Sequence, residues 1–86
     1  MMQLLRTERF QKDFRGLPGD VQERAVKALA LLAANRRHPS LQVKKMEGAP
    51  GVWELRVSDN DRMTFHVVEE GVLLRRIGTH DILRRP

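Results

Sequence analysis

The first half of the chain repeats hydrophobic residues at the three- and four-residue intervals of an amphipathic helix. The strongest stripe consists of Val21, Ala25, Ala28, Leu29 and Leu32. This stripe predicts a helix of about four turns that ends near His38, because Pro39 disfavours helical geometry in the residue before it. A shorter helix is predicted after Thr7, a good N-cap, with Phe10 and Phe14 on one face.

Helix-breaking residues separate these two predicted helices. Pro18 and its glycine neighbours in the segment 16–19 predict a sharp break, so that the two helices form an antiparallel hairpin. Asp20 followed by Glu23 has the spacing of a capping box, which predicts the start of the second helix. Ahead of both helices, Gln3–Arg6 alternates weakly and is predicted to form a short first strand.

The second half of the chain changes to the two-residue alternation of β-strands. Strands are predicted at 41–46, 53–58, 62–67 and 72–77. Turn-forming residues at 59–61 and 69–71 join the last three of them as hairpins. The expected fold class is therefore α+β, with the N-terminal helical hairpin packed on one face of a small, mainly antiparallel sheet.

Strand alternation also predicts a polar face on the side of the sheet away from the helices. That face carries Glu54, Arg56, Arg62, Thr64 and His66. A polar face alone is not informative, because an antiparallel sheet can expose one side to water. Arginines on neighbouring strands repel one another, however, and such pairs are favoured where an anion lies between them. The pattern therefore indicates an anion-binding face.

Composition narrows the class of protein. Eighty-six residues with a formal net charge of +5 indicate one small domain with a basic surface, which favours nucleic acid as a partner. Charge alone does not exclude the alternative, a soluble protein that happens to be basic. The absence of cysteine excludes a disulfide scaffold, a thiolate metal site and a cysteine nucleophile. No apolar run is long enough for a membrane span, and charged residues interrupt the first ten positions, so we expect a cytoplasmic protein without a signal peptide.

The side chains available for chemistry are those of arginine, lysine, histidine, aspartate and glutamate. The sequence contains no nucleotide-binding glycine loop, zinc-ligand spacing or serine-nucleophile motif. Cleavage of RNA by its own 2′-hydroxyl needs only a base, an acid and cations around the phosphorane. Histidine can act as acid or base near neutral pH, and arginine binds phosphate through two N–H groups. We therefore expect chemistry without a metal or cofactor.

Several motifs in a fixed order resemble a known family. They are Val52-Trp53-Glu54-Leu55-Arg56-Val57, Asp61-Arg62-Met63-Thr64-Phe65 and Ile77-Gly78-Thr79-His80-Asp81, preceded by His38-Pro39-Ser40-Leu41 and Lys44-Lys45-Met46. In this order the chain resembles the RelE/ParE toxin superfamily of bacterial toxin–antitoxin modules, as a single domain over residues 1–86. The Gly-Thr-His ending is most similar to the YafQ and YoeB branch.

The resemblance implies a microbial-ribonuclease-like fold of order β-α-α-β-β-β. It also implies an endoribonuclease that cleaves translated mRNA, in most relatives on the ribosome, and that a cognate antitoxin neutralises. Arg62 matches an arginine that stabilises the scissile phosphate, and Arg56 matches a phosphate-binding arginine on the preceding strand. His80 matches the histidine of the last strand, the general acid. The base is left open between Glu54, where some relatives have lysine, and Asp61.

Four further cations are candidate RNA-binding residues. They are Lys44, Lys45, Arg76 and Arg84. The two lysines could equally be solvated strand edges that discourage aggregation. Arg76 is preferred to Arg75 because it shares strand parity with His80, provided that no bulge intervenes. Arg84 offers a guanidinium plane for base stacking in a chain that has no tyrosine.

Other conspicuous residues are assigned structural roles. His66 is expected to have a structural or peripheral role within its strand, and Trp53 is expected to lie in the core because it shares parity with Leu55. Arg36 and Arg37 are expected only to decorate a helix end.

Two alternative functions stay open at this point. The ParE branch has the same fold but poisons DNA gyrase without cleaving RNA, and a degenerate relative would only bind an antitoxin. In all three cases we expect a small acidic or amphipathic protein partner that covers the basic face.

Overall fold

The computed structural model describes residues 2–86, in which two helices cover one face of a five-stranded sheet. The strands are β1 (Gln3–Arg6), β2 (Lys44–Lys45), β3 (Val52–Arg56), β4 (Asp61–Val68) and β5 (Gly71–Thr79). The helices are α1 (Glu8–Arg15) and α2 (Gly19–Ala34), with 3-10 helices at Pro39–Leu41 and His80–Arg84. The sheet order is β1-β5-β4-β3-β2; β1 runs parallel to β5 and all other pairs are antiparallel. The predicted α+β class is confirmed.

The hydrophobic core lies between the helices and the sheet. Its fully buried side chains include Phe10, Ala25, Leu32, Leu41, Leu55, Met63, Phe65, Leu74 and Ile77. The stripe predicted for the second helix therefore faces the sheet. Trp53 is half-buried and packs against this core, as its strand parity predicts. No helix within residues 2–86 is both long enough and apolar enough to cross a bilayer.

One helix start is predicted correctly and the other is not. Thr7 Oγ1 accepts a hydrogen bond from the backbone N–H of Phe10 at 3.1 Å, as expected of an N-cap. The capping box at Asp20 and Glu23 is wrong, because the N-cap of α2 is Pro18, two residues before Asp20, and it has no side-chain cap. Asp20 lies inside the first turn, where its negative charge suits the helix dipole.

The strand predicted at 41–46 is much shorter in the structure. Pro39 begins a 3-10 helix that buries Leu41, and Gln42 then adopts a left-handed φ of 47°, so regular strand pairing is limited to Lys44–Lys45. This two-residue strand forms one edge of the sheet. The structure therefore has four strands after the helices, one more than the three in the expected order β-α-α-β-β-β.

A β-bulge interrupts the alternation of β5. Thr64 pairs with Arg76, whereas Phe65 pairs with Leu74, so Arg75 is an extra residue between the two pairs. The hydroxyl of Thr7 lies 3.0 and 3.1 Å from the carbonyl oxygens of Leu74 and Arg75. The start of α1 therefore holds the backbone on one side of the bulge.

Asp13, one turn before the end of α1, holds the other side of the bulge. Its Oδ2 accepts a hydrogen bond from the backbone N–H of Ile77 at 3.2 Å and from Nε of Arg76 at 2.8 Å. Because β1 pairs only with the first part of β5, this carboxylate occupies a position where a further strand would otherwise bind. Helix α1 thus fixes the bulge from both ends.

After β5 the chain turns back over the face of the sheet that the helices leave uncovered. We call residues 80–86 the C-terminal segment. Ile82 is buried against Gly78: a Cβ built at this glycine would lie 2.9 Å from Cγ2 of Ile82. The segment therefore requires a residue without a side chain at this position of β5.

Candidate functional site

The sheet face opposite the helices, which we call the open face, carries the polar residues predicted from strand alternation. Its residues include Val52, Glu54 and Arg56 on β3, Arg62, Thr64 and His66 on β4, and Leu73, Arg75, Arg76 and Gly78 on β5. The cross-strand partners form rows across the sheet. The first row contains Arg56, Arg62 and Gly78, and the second contains Glu54, Thr64 and Arg76.

Two arginines lie opposite each other in the first row. Arg56 and Arg62 are direct cross-strand partners, a relationship that brings Cβ atoms to within about 4.5–5.5 Å. The Arg56 guanidinium forms an ion pair with Asp59 in the turn between the strands, and that carboxylate is 86% exposed. An exposed ion pair of this kind contributes little and is easily exchanged for another anion.

The guanidinium of Arg62 is oriented by the backbone of the same turn. Nη1 donates hydrogen bonds to the carbonyl oxygens of Ser58 at 2.8 Å, Asp61 at 2.9 Å and Asp59 at 3.3 Å. Within residues 2–86 neither Nε nor Nη2 of this arginine has a hydrogen-bond partner. The side chain is therefore held in position while part of its donor set stays free for a ligand.

Glu54 lies one row away from the arginine pair and is almost fully buried. Its side chain is 9% exposed, and Oε1 lies 3.6 Å from Nζ of Lys44. Its cross-strand partner Thr64 is also fully buried. The carboxylate thus lies on the open face beside a lysine, one row away from the two arginines.

His80 lies at the same end of the open face. It is the first residue after β5 rather than part of it, and its backbone N–H donates to the carbonyl of Asn60 at 3.2 Å. It follows Gly78, the partner of Arg62, by two residues. The exposed imidazole is thus attached beside the row that contains the arginine pair.

Asp61 is not brought into this cluster. As the residue next to Arg62 on β4, it faces the helix side of the sheet. Its Oδ2 accepts a hydrogen bond from the hydroxyl of Ser58 at 2.6 Å, and its backbone accepts from Val57 at 3.0 Å. These contacts stabilise the turn, so of the two candidate bases only Glu54 shares a face with the arginines.

The four candidate RNA-binding cations lie in different places. Lys44 lies beside Glu54 at the open face, whereas Nζ of Lys45 is 5.9 Å from the centroid of the Trp53 ring on the other side of the sheet. Arg84 is exposed within the C-terminal segment.

The fourth cation, Arg76, is engaged within the fold. It forms a nearly buried ion pair with Asp13, in which the two side chains are 17% and 12% exposed. The bulge lies before this arginine, at Arg75, so Arg76 still pairs with Thr64 of the open face, and its Nη1 also donates to the Arg85 carbonyl at 3.1 Å.

Because of the bulge, Arg75 lies on the open face as well as Arg76, the cross-strand partner of Thr64. Nη1 of Arg75 lies 3.1 Å from Nδ1 of His66, and its Nε donates to the Pro86 carbonyl at 2.9 Å. The spacing of the buried residues on β5 carried a signal for this. Leu74 and Ile77 are three residues apart, and a strand can bury both on one face only if it contains a bulge.

His66 lies on the open face, as strand alternation predicts, and its structural or peripheral role stays a prediction. Together with Arg75 and Pro86 it lines a depression of about 520 Å³ between β4 and the C-terminal segment. Thr64 contributes a hydroxyl 3.3 Å from the Pro86 carbonyl. Within residues 2–86, no three histidine, aspartate or glutamate side chains lie close enough together to hold a metal ion. Metal-independent chemistry stays a prediction.

Comparison with known proteins assigns the family. A family model described as phage-derived protein Gp49-like (DUF891) matches residues 12–75, well over half of the chain. The chain belongs to the Gp49-like family. No curated protein sequence is significantly similar to this Gp49-like chain.

Solved structures share the fold of the Gp49-like chain over nearly its full length. A chain of the Escherichia coli DinJ-YafQ toxin–antitoxin complex is 15% identical, with a TM-score of 0.78 and coverage of 95% of this chain and 96% of that one. A chain of the E. coli RelBE complex is 24% identical, with a TM-score of 0.73 and coverage of 92% of this chain and 96% of that one. The YoeB/ParE toxin from Agrobacterium tumefaciens is 15% identical, with a TM-score of 0.78 and coverage of 92% of this chain and 99% of that one. The resemblance to the RelE/ParE superfamily is confirmed.

Proposed function

We propose that this Gp49-like protein is the toxin of a toxin–antitoxin system. Its fold matches chains from the RelBE and DinJ-YafQ toxin–antitoxin complexes over more than nine-tenths of their length. Its formal net charge of +5 fits a small acidic or amphipathic antitoxin that covers the basic face. Binding of the antitoxin would neutralise the same arginines that the activity requires.

We further propose that the open face cleaves translated mRNA as a metal-independent endoribonuclease. The observation that carries this proposal is the Arg56–Arg62 pair, two like charges on directly opposite residues of neighbouring strands, which together can bind one phosphate. A phosphodiester between them would turn a repulsive contact into two attractive ones. Because the negative charge on the phosphate grows in the phosphorane, the same two guanidinium groups stabilise the transition state more than the ground state.

The neighbouring residues supply proton transfer. Glu54 takes the proton of the 2′-hydroxyl, and the resulting oxyanion attacks the phosphorus atom. The bond to the 5′-oxygen then breaks, and His80 donates a proton to that leaving oxygen. The products are a 2′,3′-cyclic phosphate and a free 5′-hydroxyl, with no metal ion or cofactor required by this route.

Expression in bacterial cells tests the proposal. The wild-type chain should arrest growth, and primer extension on mRNA from the arrested cells should reveal new 5′ ends. Arg62→Ala and His80→Gln should both restore growth and remove those ends. Arg15→Ala, which removes an exposed arginine from the last turn of α1 outside the site, is the matched control and should stay toxic.

The same cells distinguish the other outcomes. If DNA topology changes before mRNA is cut, the chain is a gyrase-directed toxin and the ribonuclease proposal is wrong. If the folded wild-type chain does not affect growth, the toxin proposal fails in favour of a relative that only binds an antitoxin. Full toxicity of both site variants would contradict the assignment of the residues.

A further inference from the structure

A second basic groove lies on the helix side of the sheet, at the edge formed by β2. It has a volume of about 400 Å³ and runs between the chain that follows α2 and the start of β3. We call it the Trp53 groove. The residues that line it include Arg36, Arg37, His38, Pro39, Val43 and Trp53. Because Trp53 and Glu54 are neighbours on one strand, this groove and the open face lie on opposite sides of the sheet.

The charged side chains at the Trp53 groove are all positive. Arg36 and Arg37 come directly after α2, and the backbone N–H of Arg37 donates to Asn35 Oδ1 at 3.0 Å, which fixes the turn that presents the two guanidinium groups. Lys45 adds a third cation, with Nζ 5.9 Å from the Trp53 ring centroid. Among the described residues that line the groove there is no carboxylate. The groove is therefore suited to an anion.

The aromatic ring narrows the class of anion. Trp53 packs against the core and is half-buried, so its ring is fixed in position while part of it stays accessible in the groove. A fixed aromatic ring next to guanidinium groups is the combination that binds single-stranded nucleic acid, since bases stack on the ring and phosphates bind the cations. An acidic peptide would use the cations and leave the ring without a stacking partner.

The edge strand connects this groove to the open face. Lys44 and Lys45 are consecutive, so one approaches Glu54 on the open face while the other lies over Trp53. No further strand lies outside β2 in the described part of the chain, so an RNA strand can pass around this edge. We propose that the Trp53 groove is a second binding site for single-stranded RNA, which holds nucleotides beyond those at the open face. The proposal rests on the proposed function only in taking RNA as the ligand.

Tryptophan fluorescence tests the site directly, because Trp53 is the only tryptophan and the chain has no tyrosine. The probe is an oligoribonucleotide of about eight residues carrying 2′-O-methyl groups, which block cleavage. Its addition should quench the emission and saturate. Arg36→Ala/Arg37→Ala should weaken binding about tenfold and lower the salt dependence, the slope of log K against log[salt], by about 1.4. The matched control Lys12→Ala/Arg15→Ala removes two cations from the last turn of α1. It should change the affinity by less than about twofold and leave the salt dependence unchanged.

Anisotropy of a labelled oligonucleotide tests the role of the ring. Trp53→Phe keeps an aromatic ring and should bind within about threefold of the wild type, whereas Trp53→Leu should bind about tenfold more weakly. Circular dichroism of each variant shows whether it is folded. If Trp53→Leu is unfolded, the proposal is tested by comparing the fluorescence titrations of the two double variants, both of which keep Trp53.

The proposal is wrong if RNA binds without changing the fluorescence, or if the two double variants lose affinity equally. It is also wrong if a hexaglutamate peptide quenches the emission and RNA does not. The proposed function is tested separately by cleavage of unmodified RNA. If Arg62→Ala and His80→Gln cleave as fast as the wild type, the active-site assignment fails while quenching still supports the groove.

Discussion

Arg56 and Arg62 are direct partners across β3 and β4, and both contact Asp59 in the turn that joins the two strands. Like charges in this position destabilise a sheet, by up to about 1 kcal/mol relative to a neutral pair. The two residues differ in how the fold compensates for this cost. Arg62 is tied to three carbonyl groups of the adjacent turn, whereas Arg56 has only an exposed aspartate as its partner.

This difference predicts opposite effects of the two alanine variants on stability. Arg56→Ala should leave the free energy of unfolding unchanged or raise it by up to about 1 kcal/mol, because repulsion is removed. Arg62→Ala should lower it by about 1–2 kcal/mol, because the turn loses its hydrogen bonds. Both should slow RNA cleavage about 100-fold or more. Urea unfolding and single-turnover cleavage measure the two effects, and a loss of stability in Arg56→Ala would contradict the anion-site interpretation.

Replacing Glu54 tests the base. Glu54→Gln keeps the shape of the side chain and removes its proton-accepting charge, so the cleavage rate should fall by about 10²–10⁴ while the fold is retained. Glu69→Gln, an equivalent change in the exposed β4–β5 turn, is the control and should cleave normally. If Glu54→Gln keeps the wild-type rate, the base is another group, and Asp61→Asn becomes the next variant to test.

The ion pair between Asp13 and Arg76 predicts a dependence of stability on pH. Burial acts to raise the pKa of the Asp13 carboxyl, but the hydrogen bonds from Arg76 and from the Ile77 backbone, with the charges of Arg76 and Arg9, together lower it below its ordinary value of 3.8. A carboxyl with a depressed pKa stabilises the fold above its unfolded-state pKa. This contribution should therefore be complete at neutral pH and lost as the pH falls below about 3.8.

Unfolding of Asp13→Asn at several pH values measures this contribution. At pH 7 the variant should be about 1–3 kcal/mol less stable than the wild type, and the difference should shrink below about pH 3.8. Arg9→Ala is the control, because the 61% exposed Arg9 forms the weaker pair at 3.5 Å and should change stability by less than about 0.5 kcal/mol. A difference that does not depend on pH would mean that packing, rather than charge, sets the contribution of Asp13.

Gly78 tests the docking of the C-terminal segment. In Gly78→Ala the new methyl group meets Ile82, so we expect the segment to be displaced and stability to fall by about 1–3 kcal/mol. Amide hydrogens of residues 82–85 should exchange faster in the variant. Gly19→Ala, where a Cβ meets nothing within 4 Å, should leave that exchange unchanged. Unchanged exchange in Gly78→Ala would show that the segment can adjust without leaving the sheet.

The sequence was sufficient to predict the helices and the open face because both depend on local periodicity. The helical stripe of α2 and the alternation of β3 and β4 place each side chain relative to a core that must be buried on one side. The same alternation separates Asp61 from Arg62, and Lys44 from Lys45, since adjacent strand residues face opposite ways.

Features that depend on distant contacts could not be predicted in this way. The bulge that brings Arg75 to the open face is stabilised by Thr7 and Asp13, which lie more than 60 residues away in the chain. The C-terminal segment docks through Ile82, whose position is set by a glycine on the strand below. Alternation is a local property, and it fails where tertiary hydrogen bonds override it.

The position of Pro86 has a practical consequence. Its carbonyl is hydrogen-bonded to Thr64 and Arg75, so a purification tag or fusion partner joined after it would emerge on the open face beside these two residues. Such an extension would hide the surface that substrate and antitoxin are proposed to share. A fusion placed ahead of Gln3 would instead leave from the outer strand of the sheet.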